Sequence, residues 1–117
     1  MSKSRWYTVV IDCNDIDREA SFWQAVLEWE RVHEAEDEIV VVSPGKTEPG
    51  LVFVSVPEEK VTKNRLHIDL APDDRDAEVE RIIGLGATRA DVGQTGDENW
   101  VVLRSPGGNE LCVLSAR

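Results

Sequence analysis

Two stretches of the chain show the spacing of apolar residues that is typical of amphipathic helices. The stretch 14–27 begins with two residues that can cap a helix and then places apolar side chains at helical intervals. In the stretch 72–86, two aspartates that can cap a helix follow Pro72, and the stretch ends at Gly86, a residue suited to the position after a helix. The pattern therefore predicts two helices.

The segments around these helices are rich in β-branched and aromatic residues and are separated by polar, proline- or glycine-containing loops. They predict eight strands, of which the second is weak: 6–12, 30–33, 37–43, 50–56, 65–71, 88–92, 99–105 and 109–115. The order is thus βαβββ followed by βαβββ. The sequence SPGGNE at 105–110 is interpreted as a hairpin turn, because no helix start or lysine follows it as in a phosphate loop.

The two halves of the chain can be superimposed with a single offset of 59 residues. This offset pairs Asp15 with Asp74, Thr8 with His67, and Phe53 with Cys112. The same offset relates residues near the start and residues near the end of the two halves, which indicates a structural repeat. We therefore expect one domain over 1–117, built from units at about 5–57 and 64–116.

Composition limits the classes of function. The 117 residues suit one globular domain, and a net charge of −10 argues against nucleic acids and against anionic membrane surfaces. This charge favours a cationic small molecule, or serves solubility alone. No apolar run approaches the roughly 20 residues of a membrane span, and no signal-peptide core is present. Cys13 and Cys112 form no disulfide framework, so we expect a cytoplasmic protein with reduced thiols.

Three stretches point to a known family: VVIDCNDIDREASFW, RLHIDLAPDD and VVLRSPGGNELCVL. With them the chain resembles the vicinal-oxygen-chelate superfamily, also called the glyoxalase/bleomycin-resistance/dioxygenase group, and within it the small glyoxalase-like bacterial proteins. The resemblance implies an α+β fold in which two βαβββ units form a cupped mixed β-sheet with the helices on its outer face. It also implies a small-molecule ligand in the cup and a homodimer.

In this superfamily the metal ligands come from the first and last strand of each unit. The resemblance carries those places to Thr8, Phe53, His67 and Cys112. Threonine is a poor ligand and phenylalanine cannot bind a metal, so two donors remain, which are too few for an ordinary catalytic site. We therefore assign no metal or other cofactor. A divalent metal bound by His67, Cys112 and a nearby carboxylate is left open, and the carboxylates that qualify are Asp12, Asp69 and Glu110.

His67 is the candidate catalytic residue. A histidine changes its charge near neutral pH and can act as a general base, although a hydrogen-bonded wall residue explains it equally well. Asp69 lies two residues further along the same strand and therefore faces the same side, where it orients His67 or binds a cation, unless Arg65 neutralises it. Cys112 lies in an apolar strand, which favours a buried small hydrophobe over a reactive thiol.

Aromatic residues are the remaining candidates for ligand binding. Trp6 shares strand parity with Thr8, and Trp100 follows a polar loop at 93–99 that can form a mouth or lid. Phe53 would be an aromatic wall of the cup, or simply a core residue. Such a lining with acidic residues suits a cationic or aromatic ligand. The alternative is that Trp6 and Trp100 pack at a dimer interface.

Two hypotheses of function follow. In the first, the protein is a lyase or isomerase in which His67 is the base or the metal anchor, assisted by Asp69 or Glu110. In the second, it is a non-catalytic protein that sequesters a drug or metabolite, as bleomycin-resistance proteins do without a metal. The missing ligands and the negative charge favour the second hypothesis, and the histidine favours the first. A regulatory subunit with an empty cup is the residual alternative.

Overall fold

The computed structural model describes residues 3–90 and 99–117. The contacts divide the chain into two compact units, Met1–Glu59 and Lys60–Arg117. Each unit contains one helix and a four-stranded sheet of mixed strand directions. The predicted α+β fold of two βαβββ units is therefore confirmed, with the sheet present as two separate four-stranded sheets. Neither helix in these residues is long and apolar enough to cross a membrane.

The first unit follows the predicted order, and its elements are β1 (Thr8–Cys13), α1 (Ile16–Leu27), β2 (Glu30–Glu34), β3 (Glu38–Val42) and β4 (Gly50–Ser55). The strand order across the sheet is β1-β4-β3-β2. The first and last strands of the unit run parallel, and the other neighbours are antiparallel.

The second unit repeats this arrangement with β5 (Ile68–Leu70), α2 (Arg75–Gly84), β6 (Thr88–Arg89), β7 (Trp100–Arg104) and β8 (Glu110–Leu114). Its strand order is β5-β8-β7-β6, again with the first and last strands parallel. Strand β5 is shorter than predicted, and His67 immediately precedes it. The predicted hairpin at 105–110 is confirmed, with Gly108 at a positive φ of 89°. Residues 91 and 92 of the predicted strand at 88–92 lie outside the described residues.

The two helices begin in the same way, as the repeat predicts. Asp15 accepts a hydrogen bond from the backbone N–H of Arg18 at 3.1 Å, and Asp74 accepts one from Ala77 at 3.1 Å. Each carboxylate thus satisfies a backbone donor that has no partner within the helix. Gly86, which follows α2, has a φ of 123°, a conformation that side chains rarely tolerate.

Each helix buries its apolar side against one face of its own sheet. In α1, the rings of Phe22 and Trp23 lie almost perpendicular with centroids 5.4 Å apart, and Trp23 donates from Nε1 to the buried Glu19 carboxylate at 3.2 Å. In α2, Val79 and Ile82 are buried. The opposing strand residues are fully or almost fully buried in both units: Ile39, Val41, Leu51 and Phe53 in the first, and Leu103, Leu111 and Val113 in the second.

The strand register corrects the predicted equivalence of Phe53 and Cys112. Asp69 pairs with Cys112 in the second unit, and Val10, its counterpart at an offset of 59, pairs with Val52. Cys112 therefore corresponds to Val52. The offset between the units is 59 residues in their first strands but 60 residues in their last strands. A shift of one residue moves a side chain to the opposite face of a sheet. Phe53 is accordingly a core residue with 0% exposure, and its alternative role as a ligand-facing wall is wrong.

We expect Phe53→Ala to lower the free energy of unfolding by about 3–5 kcal/mol, the usual cost of deleting a buried phenylalanine. Val54→Ala is the matched control, since Val54 lies next along β4 on the opposite, partly exposed face. Its loss should be about 1 kcal/mol or less. Urea unfolding followed by tryptophan fluorescence measures both changes, and equal losses would contradict the assignment of the two faces.

Candidate functional site

The face of the second sheet that points away from α2 combines the polar candidates of the sequence. Along a strand, side chains alternate between faces, and residues paired across strands share a face. The pairings of Asp69 with Cys112 and of Cys112 with Val102 place these three side chains together. We call this surface the site face, and its residues are His67, Asp69, Trp100, Val102, Arg104, Glu110 and Cys112.

His67 and Asp69 form a hydrogen-bonded pair. Nδ1 of His67 lies 2.8 Å from Oδ1 of Asp69, and the two side chains are 39% and 44% exposed. In the neutral ring, Nδ1 donates to the carboxylate and Nε2 is left with a free lone pair. The predicted orienting contact of Asp69 is thus present. Arg65 forms no ion pair with Asp69 within the described residues.

Cys112 lies beside this pair but is almost fully buried, with 5% exposure. Burial raises the pKa of the Cys112 thiol to about 11, and the neighbouring Asp69 carboxylate adds to the rise, while Lys63 acts in the opposite direction. The thiol therefore stays protonated at neutral pH. Its burial agrees with the interpretation as a small hydrophobe, since a nucleophilic cysteine needs a lowered pKa and access.

Donor atoms of His67, Asp69 and Cys112 all lie within 4.8 Å of one another. An imidazole, a carboxylate and a thiolate together suit a borderline-soft divalent ion such as Zn²⁺. An ion would have to displace the thiol proton, which makes its binding dependent on pH. The corresponding residues of the first unit are Thr8 and Val52, and valine offers no donor. His67, Asp69 and Cys112 could thus hold a divalent ion with three donors from a single unit. This differs from the four-residue metal site of the superfamily, which takes its ligands from both units.

Glu110 shares the site face, but other groups already engage its carboxylate. The side chain is 2% exposed, Oε1 accepts from the backbone N–H of Asn64, and Lys60 Nζ lies 2.5 Å from Oε2. Burial alone would raise the pKa of Glu110, yet Lys60, Asn64 and Arg104 outweigh this effect and hold the pKa below its usual value. Glu110 therefore attaches the connector 60–64 to the start of β8.

The other predicted residues are divided between the two units. Trp6, Thr8 and Phe53 belong to the first unit, where Trp6 precedes β1 and is 69% exposed. Trp100 lies on the site face and is 41% exposed. Residues 93–98 of the predicted lid lie outside the described residues.

Sequence reasoning overlooked Val102 and Arg104, which face the same side as Trp100. The alternation within WVVLRS at 100–105 was the available signal, because it places every second residue on one face. Lys60 had no such signal, since its contact with Glu110 joins positions far apart in the chain.

Comparison with known proteins identifies the family. The sequence profile of the glyoxalase-like domain matches residues 8–114, and the chain therefore belongs to this family. No curated protein sequence matches significantly.

Solved structures with the same fold share little sequence with the chain. A glyoxalase/bleomycin resistance protein/dioxygenase family enzyme from Burkholderia phytofirmans PsJN is similar with a TM-score of 0.75 and 18% identity, covering 97% of this chain and 100% of that one. The fosfomycin resistance protein FosX from Listeria monocytogenes, complexed with Mn(II) and sulfate, has a TM-score of 0.73 and 13% identity, covering 100% and 93%. The oxidase ChaP-H2 has a TM-score of 0.67 and 15% identity, covering 99% and 95%. At these identities the likeness shows the fold alone.

We expect Glu110→Gln to destabilise the protein by about 1–3 kcal/mol at neutral pH, because it removes the charge that Lys60 and Asn64 hold in place. A carboxyl group with a lowered folded pKa stabilises the fold above its unfolded pKa and loses this effect as the pH falls through the folded pKa. The difference between wild type and variant should therefore shrink as the pH falls below about 4.5.

Urea unfolding at several pH values measures this difference. Glu80→Gln is the control, since Glu80 is 73% exposed and meets Arg89 only at 3.4 Å. It should change stability by about 0.5 kcal/mol or less at every pH. A Glu110→Gln deficit that stays constant from neutral to acidic pH would contradict the assigned role of the charge.

Proposed function

We propose that the protein binds a small molecule on the site face and that His67 transfers a proton in a lyase- or isomerase-type reaction. The hydrogen bond of 2.8 Å from His67 Nδ1 to Asp69 is the observation that supports this most directly. It leaves Nε2 as the proton acceptor and stabilises the positive charge that the ring acquires.

A proton transfer of this type requires only a base, such as Nε2 of His67, and a residue that holds the base in position, such as Asp69. Nε2 removes a proton from a carbon atom beside an electron-withdrawing group, and the C–H electron pair moves into the substrate. Return of the proton to another atom completes an isomerisation. In an elimination, that electron pair forms a new double bond to the adjacent carbon, and the leaving group departs from this carbon with its own bonding pair. Asp69 is a positioning residue in this scheme, because it acts through His67.

The exposed aromatic residue of the site face suits the apolar part of such a ligand. Trp100 is 41% exposed, and it shares this face with the paired residues Val102 and Cys112, which are buried. Ligand sites combine an apolar lining with a few placed polar groups. This face has that composition, with His67 and Asp69 at its edge strand.

Sequestration of a drug or metabolite without catalysis is the alternative within the family. It is supported by the absence of donors at Val52 and the weak donor at Thr8 in the first unit. We also propose a cytoplasmic location, which the two free, buried cysteines support. A homodimer is proposed as well, because Trp6, Tyr7 and Leu66 are 69%, 61% and 87% exposed.

A divalent metal is a second candidate for the site. It is supported by the cluster of His67, Asp69 and Cys112 with donor atoms within 4.8 Å. A bound ion would supply Lewis-acid polarisation of a substrate oxygen. A bound ion would occupy a nitrogen lone pair of His67. Proton transfer by this histidine therefore requires the metal-free protein.

We expect wild-type protein, freed of metal by a chelator, to catalyse exchange of carbon-bound protons in a panel of small ketones, aldehydes and organic acids. Proton NMR in D₂O detects the exchange. His67→Gln should slow it by about 100-fold or more, the usual contribution of a general base. Asp69→Asn should slow it by about 10-fold or more, because the ring loses its orienting carboxylate.

His33→Gln is the matched control, since His33 is the other histidine and meets Glu38 only at 3.8 Å in the first unit. It should leave exchange unchanged. Saturable binding of panel members without exchange in any variant would contradict the enzyme and support sequestration.

For the metal candidate, titration with Co²⁺ should give a thiolate-to-metal charge-transfer absorption that saturates at one ion per chain. Cys112→Ser should abolish this band, and Cys13→Ser should retain it, because Cys13 lies outside the cluster. Elemental mass spectrometry of wild type and His67→Ala gives an independent count of bound ions. No band and no bound ion after incubation with Co²⁺ or Zn²⁺ would eliminate this candidate.

A further inference from the structure

One cation on the site face is only loosely paired. Glu110 provides a single negative charge, which Lys60 Nζ contacts at 2.5 Å and the backbone of Asn64 also engages. Arg104 Nε lies 3.9 Å from the same carboxylate, and its side chain is 41% exposed. This is the closest ion pair of Arg104 in the part of the chain that the structure describes. The guanidinium can therefore bind a further anion.

The register relates Arg104 to His67. Arg104 pairs with Glu110 across β7 and β8. His67 is hydrogen-bonded to Asp69 of β5, which pairs with Cys112 on β8, two residues beyond Glu110. Strand β8 thus lies between the strands that carry Arg104 and Asp69, whose backbones are ~10 Å apart. A small organic molecule of ordinary length can contact both.

A second cation lies near the same place. Lys60 and Asn64 hold the connector 60–64 against Glu110. Lys63 lies in this connector, and its positive charge partly offsets the rise in the pKa of the Cys112 thiol. At the site face three cations (Lys60, Lys63 and Arg104) thus meet two carboxylates (Asp69 and Glu110), an excess of one positive charge, although the whole chain has a net charge of −10. Local groups dominate, because charges beyond ~8 Å are largely screened at physiological salt.

We infer that the ligand of the site face is an organic anion, a small carboxylate with an apolar or aromatic part, and that Arg104 anchors its carboxylate. The planar guanidinium donates two parallel hydrogen bonds to a carboxylate, and Trp100, which is 41% exposed on the same face of β7, suits the apolar part. The inference rests on the proposed function for the choice of face. It replaces the cationic ligand that net charge alone suggests.

The test compares two probes that share a phenyl ring and a short chain but differ in charge, hydrocinnamate and phenylpropylamine. Dissociation constants come from NMR titration of metal-free protein at low salt. Hydrocinnamate should bind saturably and more tightly than the amine. Arg104→Gln should weaken hydrocinnamate binding about fivefold or more. Arg104→Lys should weaken it less, because lysine keeps the positive charge but loses the pair of parallel hydrogen bonds.

Arg89→Gln is the matched control. Arg89 is an exposed arginine on the adjacent strand β6, and its pairing with Leu103 places it on the opposite face of the sheet. Its replacement should leave binding of both probes unchanged. Equal binding of the two probes, no saturable binding of hydrocinnamate, or equal effects of Arg104→Gln and Arg89→Gln would each overturn the inference.

The binding test separates this inference from the proposed function. Binding of hydrocinnamate that depends on Arg104 supports the anion site even where His67→Gln changes no reaction, and then only the proposed proton transfer fails. Proton exchange that requires His67 but tolerates Arg104→Gln, with unchanged binding of hydrocinnamate, supports the enzyme and overturns the anion site.

Discussion

The candidate site depends on the parallel pairing of β5 with β8. This pairing joins the first and last strands of the second unit and places Asp69 directly beside Cys112, although they are far apart in the chain. The strand β5 has only three residues, so a few ladder hydrogen bonds and the packing of Leu111 and Val113 against α2 hold the arrangement. Asp69, and through it His67, takes its position beside β8 from this pairing.

The two units use the same backbone plan for different chemistry. In each, one sheet face is filled by the helix, which requires large apolar residues there, while the other face is free of this requirement. The first unit places Val10 and Val52 side by side on that second face, whereas the second unit places Asp69 and Cys112 at the corresponding positions. The two units therefore share a fold, but this second face is apolar at Val10 and Val52 in the first unit and carries Asp69 and Cys112 in the second.

Glu110 shows why a buried charge need not be a reacting group. Its carboxylate is 2% exposed and is stabilised by a lysine and a backbone N–H, so the chain uses it to hold the connector that leads to His67. Asp69, by contrast, is 44% exposed and has His67 as its partner. Two carboxylates on one face thus have different roles, because their burial and their partners differ.

The amino-acid sequence by itself determined the order of the elements, two candidates for the cap of each helix, and the shared face of His67 and Asp69. These features depend on residues a few positions apart, through helical spacing, backbone capping and strand alternation. Only the tertiary structure decided that Val52 rather than Phe53 corresponds to Cys112, and that Lys60 and Arg104 meet at Glu110. Such contacts join distant segments, and their register depends on loop lengths and core packing that no local pattern contains.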